Sequence, residues 1–182
     1  MSAGIWNIDP SHSSISFAVR HMVVSKTRGR FAKFEGQIRF DPENPAASSV
    51  EVTIDPASID TADAQRDAHL RSPDFLDVEK FPKASYRSIK VDDLGGDKYR
   101  VTGHLTVHGV TRPVVLQVTY EGAGKDPWGG ERAGFSATTS FDRKDFGLEW
   151  NKALETGGLL VGEKVDLTLE IEAIKQAAQK VA

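Results

Sequence analysis

The strongest constraint on the fold is strict alternation along residues 99–120. Tyr99, Val101, Leu105 and Val107 alternate with Arg100, Thr102, His104, Thr106 and His108. Beyond Gly109, the apolar residues Val110, Val114, Leu116, Val118 and Tyr120 alternate with Thr111, Gln117 and Thr119. A period of two in Val, Thr and Tyr marks strands with one buried face. Gly109 supplies the positive φ of a tight reversal, so the stretch is a long antiparallel hairpin. Pro113 has no N–H to give to a ladder, which places it near an edge, a strand start or a bulge.

The same period predicts strands at 5–8, 13–21, 27–40, 50–55, 85–91, 134–141 and 164–172. The 27–40 strand is long enough to need a bend, for which Gly29 and Gly36 are the expected points. Residues 122–130 read as a loop, and 142–162 as a long irregular segment. The character changes at 57–81. Asp60 or Thr61 can cap a helix over 62–70, and Ser72-Pro73-Asp74 is a second helix start, so two short helices are expected there. The Ala-, Lys- and Gln-rich tail, 173–182, reads as a short or frayed helix.

About eight antiparallel strands suffice to close a barrel, which at this number holds side chains or one small ligand. The fold class is all-β, one domain over 1–182, with a helical cap at about 57–81 and a tail at about 173–182. Net charge −3, from 23 basic and 26 acidic residues, gives no support for a nucleic-acid surface or a polybasic membrane anchor. Without cysteine there is no disulfide, thiol catalysis or Cys-bound zinc. No run is long enough to cross a bilayer and the N-terminus carries no export signal, so a cytoplasmic location is expected.

Three stretches carry a resemblance: WNIDPSHSSISFAVRH at 6–21 with GRF at 29–31; IDTADAQRDAHLRSPDFLD at 59–77 with FP at 81–82 and YRS at 86–88; and GHLTVHGVTRPV at 103–114 with RKDFG at 143–147. Together they resemble the YceI-like family of lipid-binding, lipocalin-like barrels. The resemblance implies an extended eight-stranded antiparallel barrel whose interior holds a long apolar ligand, a polyisoprenoid or a fatty-acid-like amphiphile. It implies no cofactor. Many relatives carry an export signal, and this chain departs from them.

Affinity for such a ligand must come from apolar burial. Phe17, Val19, Phe34, Ile38, Val52, Ile54, Leu105, Val107, Leu116, Val118, Phe135, Phe141, Leu167 and Leu169 lie on the inward faces, and Leu70, Phe75 and Tyr86 complete the ligand-binding set. Periodicity does not separate cavity wall from packed core. On the cap, Arg66, His69 and Arg71 are the candidates for meeting a phosphate or carboxylate head, or for a salt-bridged tether to the rim. His104 and His108 fall on a strand, where four residues span roughly 13 Å, too far apart to share one ion at about 2 Å per ligand. His12 and His21 read as rim or turn hydrogen-bonding groups. Residues 26–34 interleave basic and aromatic side chains as RNA-binding strands do, but the βαββαβ pattern is missing, and a solvated charged face is the expectation.

Three functions are open at this point. The first is a non-catalytic carrier. The second is an enzyme on an apolar substrate, with Arg66, His69 and His108 as the groups to test. The third is a homodimeric interaction module using exposed strands.

Overall fold

A computed structural model describes residues 3–177. Eleven strands and one α-helix follow one another: β1 (Gly4–Ile8), β2 (Ser14–His21), β3 (Ser25–Phe31), β4 (Phe34–Phe40), β5 (Ser49–Ile54), β6 (Ile59–Asp60), α1 (Ala64–Arg71), β7 (Ala84–Gly95), β8 (Lys98–Val107), β9 (Val110–Lys125), β10 (Glu131–Asp142) and β11 (Val161–Lys175). Short 3₁₀ turns occupy Pro45–Ala47, Pro56–Ser58 and Arg143–Phe146.

All pairings are antiparallel, and the β1–β11 ladder closes the sheet into a barrel. It has eight staves, three of them broken. β1 and β2 run in line along β11. β3 and β4 run in line opposite them, and β6 and β5 pair with those two in turn. β7 to β11 are continuous. Closure removes the edge at the β1–β11 seam, while residues 110–116 of β9 and 25–29 of β3 keep a ladder partner on one side only.

Each break is a change of phase. Inward residues are even-numbered in β1 (Trp6, Ile8) and odd in β2 (Ile15, Phe17). They are odd in β3 (Phe31) and even in β4 (Phe34, Phe40). A one-residue slip turns a strand's whole apolar set to the other face, so the chain must break where the phase changes. The expected bend at Gly29 or Gly36 is therefore corrected: the interruption falls at Ala32 and Lys33. The two glycines serve close packing instead. A Cβ on Gly29 would stand 2.4 Å from the Phe17 ring, and one on Gly36 2.7 Å from the Glu51 carbonyl.

The β8–β9 hairpin turns at His108 and Gly109, with φ of 53° and 71°. Pro113 lies opposite His104, in a part of β9 beyond the end of the β10 ladder at Gln117. Its missing N–H thus leaves no ladder bond unmade. Three other expectations are corrected. β9 runs on to Lys125, so the loop is shorter than 122–130. Only one helix forms in 57–81; residues after Arg71 make turns, held by Phe75, Asp77 and Val78 amides donating back to Ser72 and Arg71 carbonyls. Ala173 to Lys175 belong to β11, paired with β1; 178–182 lie outside the described residues.

One end of the barrel is plugged by aromatic rings around Phe40, whose centroid lies 5.7, 5.1 and 5.3 Å from those of Tyr99, Tyr120 and Phe135. Fully buried Trp6 joins this cluster. The other end carries α1.

Candidate ligand cavity

The staves leave space between the plug and α1. An outer cavity of about 790 Å³ opens beside α1, and a smaller chamber of about 130 Å³ lies deeper. Ile15, Ile54, Leu105 and Leu167 line both, so the two meet end to end.

Of the residues singled out in the sequence, Phe17, Val19, Ile54, Leu70, Phe75, Leu105, Val107, Phe141 and Leu167 line the outer cavity. Ile38, Val52, Tyr86, Leu116, Val118, Phe135 and Leu169 line the inner chamber, together with Ile54, Leu105 and Leu167. Phe34 lines neither; the phase change at 32–33 turns it inward, and there it is buried against Ile8, Ile15 and Val52, which stand between it and the open space. Tyr86 crosses the inner wall to donate to the Val101 and Val114 carbonyls at 3.1 and 3.2 Å. Burial pushes its phenol well above the ordinary range, so it stays neutral.

The cap is held by short polar contacts. Asp63 caps α1, accepting from the Arg66 N–H at 3.0 Å. Buried Asp67 accepts from the Thr61 amide at 2.9 Å and its hydroxyl at 2.5 Å. Arg66 Nε donates to the Thr61 hydroxyl at 2.8 Å and its Nη2 to the Thr61 carbonyl at 2.9 Å. Arg71 donates to the Ala57 and Ile59 carbonyls at 2.7 and 2.8 Å. Of the three head-group candidates, Arg66 and His69 line the cavity; Arg71 does not, and acts as a tether. His69 contacts Asp74 at 2.8 Å, and its ring packs edge-on against Phe75 and Trp150, 5.1 and 4.7 Å between centroids. His108 is elsewhere, against Phe81 at 4.7 Å and the Phe146 carbonyl at 3.3 Å. Of the groups named for an enzyme, Arg66 and His69 therefore share the cavity and His108 does not.

Arg20, His21, Asp63, Arg143 and Trp150 line the outer cavity and were not singled out as ligand contacts. They come from strand ends and loops, where alternation carries no signal. Arg143, 3 % exposed, donates to the Gly162 carbonyl at 2.8 Å, the Val161 carbonyl at 3.3 Å and the Leu148 carbonyl. No carboxylate pairs with it among the described residues. Burial pushes its guanidinium down from its usual range, opposed by the charges of Glu163 and Asp142. Arg20 and Arg39 border the chambers but sit in the outward phase of β2 and β4 and are exposed, which leaves Arg66 and Arg143 against the single carboxylate of Asp63, in a chain with net charge −3.

Outside the plugged end, Asp9, His12 and Glu172 lie close enough to share an ion, but Arg132 occupies the position. Its Nη1 meets Asp9 at 3.0 Å and also Glu172, and its Nε meets Asp126 at 3.1 Å. No helix among the described residues is long and apolar enough to cross a membrane.

A closed eight-stranded antiparallel barrel around an apolar cavity places the chain among the lipocalin-like β-barrels. Within that class it belongs to the YceI-like family, whose domain profile matches residues 6–173. A UPF0312 protein of Vibrio cholerae serotype O1 is 43 % identical over 166 residues, covering 91 % of this chain and 84 % of that one. The crystal structure of BcnA from Burkholderia cenocepacia superposes with a TM-score of 0.81 at 28 % identity, over 91 % of this chain and 98 % of the other. A polyisoprenoid-binding domain from Saccharophagus degradans, implicated in plant cell wall breakdown, has a TM-score of 0.70 at 15 % identity, covering 94 % and 98 %. At that identity the likeness speaks to the fold.

Proposed function

We propose that the protein is a non-catalytic carrier that holds one long apolar chain in the barrel, its polar head at the α1 end. The observation that carries this reading is the cavity itself: about 790 Å³, continued by about 130 Å³, in a barrel whose far end is plugged. Sites of roughly 300–1,000 Å³ bury most of a small ligand. The lining has the branched and aromatic side chains that an isoprenoid or acyl chain needs. The Arg excess favours an anionic or electron-rich head, with Arg66 and His69 the nearest partners on the cap. One feature favours holding over conversion: His108 lies away from the cavity that Arg66 and His69 line, so the three groups named for an enzyme do not meet. The polyisoprenoid-binding neighbour is consistent with this choice of ligand.

The test is a chain-length titration. With straight-chain acids, each added methylene that enters the cavity contributes about 0.8 kcal/mol, roughly fourfold in affinity, until the inner chamber is filled. Affinity should then level off. An affinity independent of chain length would sink the proposal.

A further inference from the structure

The β2–β3 turn departs from what its conformation favours. Met22, Val23 and Val24 follow one another at a hairpin tip and are 45 %, 64 % and 86 % exposed. Met22 and Val23 hold φ of 50° and 67°, in the left-handed region where Gly and Asn are the usual occupants and a β-branched side chain is strained. Such strain is unfavourable, and burial does not offset it here. Leu159, 42 % exposed, belongs to the neighbouring loop. That loop's Leu160 carbonyl accepts from the Met22 N–H at 2.9 Å, and a Cβ on its Gly158 would lie 3.5 Å from Val23. The side chains form one exposed apolar knob. It adjoins the cavity mouth, because Arg20 and His21, which line the cavity, immediately precede Met22.

The hairpin is also the basic part of an acidic protein. Between Asp9 and Glu35 there is no carboxylate, only Arg20, Lys26, Arg28, Arg30 and Lys33. Lys26, Arg28 and Arg30 sit on the exposed face of β3. Lys26 and Arg30 meet Asp166 at 3.4 Å and Asp60 at 3.2 Å; Arg28 has no carboxylate partner among the described residues.

We propose that this knob inserts into an anionic phospholipid bilayer, with the outer face of β3 against the headgroups, and so seats the cavity mouth on the membrane. The carrier reading supplies the purpose: an apolar chain passes from bilayer to cavity without crossing water. A protein partner fits less well, because a stable interface buries about 1,200 Å² or more, beyond the reach of four side chains. A bilayer takes up isolated apolar side chains, and each Lys or Arg near an anionic surface adds about 1 kcal/mol.

The test is flotation with phosphatidylcholine vesicles, with and without phosphatidylglycerol. The protein should float with the anionic vesicles and be released by salt. Arg28→Gln should weaken this about fivefold, the equivalent of one basic contact at about 1 kcal/mol. The triple variant Met22→Asn, Val23→Gly, Val24→Ser should lose flotation. Its melting temperature should hold or rise, because the turn is relieved, and its uptake of a fluorescent fatty acid in vesicle-free buffer should be unchanged. A triple variant that floats like the parent overturns the proposal, as does a parent that floats with neither vesicle. Self-association by light scattering, lost in the variant and without vesicle binding, would assign the knob to a second copy and equally overturn it. Flotation without fatty-acid uptake would remove the carrier reading and leave the docking surface standing.

Discussion

At the scale of single residues, Arg143 is the most exacting position. Its guanidinium is buried beside an apolar cavity and is satisfied by the carbonyls of Leu148, Val161 and Gly162. Those three groups belong to the turn after β10 and the start of β11, so one side chain fixes the wall on which Leu148, Leu160 and Val161 present themselves to the cavity. Arg143→Met keeps the stem but strands the carbonyls. An unsatisfied buried acceptor costs about 1–3 kcal/mol, so the variant should lose roughly 3 kcal/mol or more in denaturant titration, far beyond an exposed Arg such as Arg28. The sequence placed Arg143 in a run resembling the family, but nothing in alternation shows that a charge there turns inward. Phe34 differs in the opposite way: its inward, apolar place was plain, but only its neighbours Ile8, Ile15 and Val52 decide that it packs as core and does not face the open space.

At the scale of elements, the cap and the plugged end are held differently. α1 is only eight residues long, too short for stability on propensity alone, so its tethers matter. Arg71→Ala removes two donors from the Ala57 and Ile59 carbonyls without removing a side chain that lines the cavity. It should destabilise by about 1–3 kcal/mol, and in stopped-flow release of a bound fluorescent fatty acid the off-rate should rise more than the on-rate falls.

The plugged end rests on Asp9, which lies in the break between β1 and β2 and ties it through Arg132 to β10 and β11. Hydrogen bonds from the Ser11 hydroxyl first, then from His12 and Arg132, hold its carboxyl well below the usual carboxylate range. The Gly130 amide and Arg132 lower Asp126 in the same direction. A depressed folded value means the stabilisation is complete above the ordinary value of 3.8 and is lost as pH falls below it toward the folded value. Melting temperature should thus drop steeply on acidification through that window. Asp9→Asn should be less stable at neutral pH and show a shallower acid limb; an unchanged limb would remove Asp9 from the account.

The strands themselves were legible from alternation, most clearly β8, β9 and β11. The breaks were legible in principle too, since Phe31 and Phe34 are both apolar three apart, a phase change rather than a bend. The second helix after Ser72 was not, because local start signals gave way to turns folding back onto α1.

At the scale of the whole molecule, closure and cavity are linked but were not equally readable. Eight staves with one apolar face each imply a barrel. Whether its interior is open depends on side-chain volumes set against the barrel's radius, which no local pattern carries. Here Phe40, Tyr99, Tyr120 and Phe135 close one end, while at the α1 end Phe17, Phe75, Phe141 and Trp150 share the wall with Val, Leu and Ile without filling it, leaving the space in which a chain can lie. The measurement that bears most directly on this is native mass spectrometry of the purified protein equilibrated with long-chain prenyl and acyl amphiphiles. The structure predicts a one-to-one adduct, abolished or much weakened in Leu167→Trp, which fills the junction where both chambers meet. A parent chain that flies bare after exposure to every probe, or an adduct that survives the filled junction undiminished, would contradict a ligand-holding barrel.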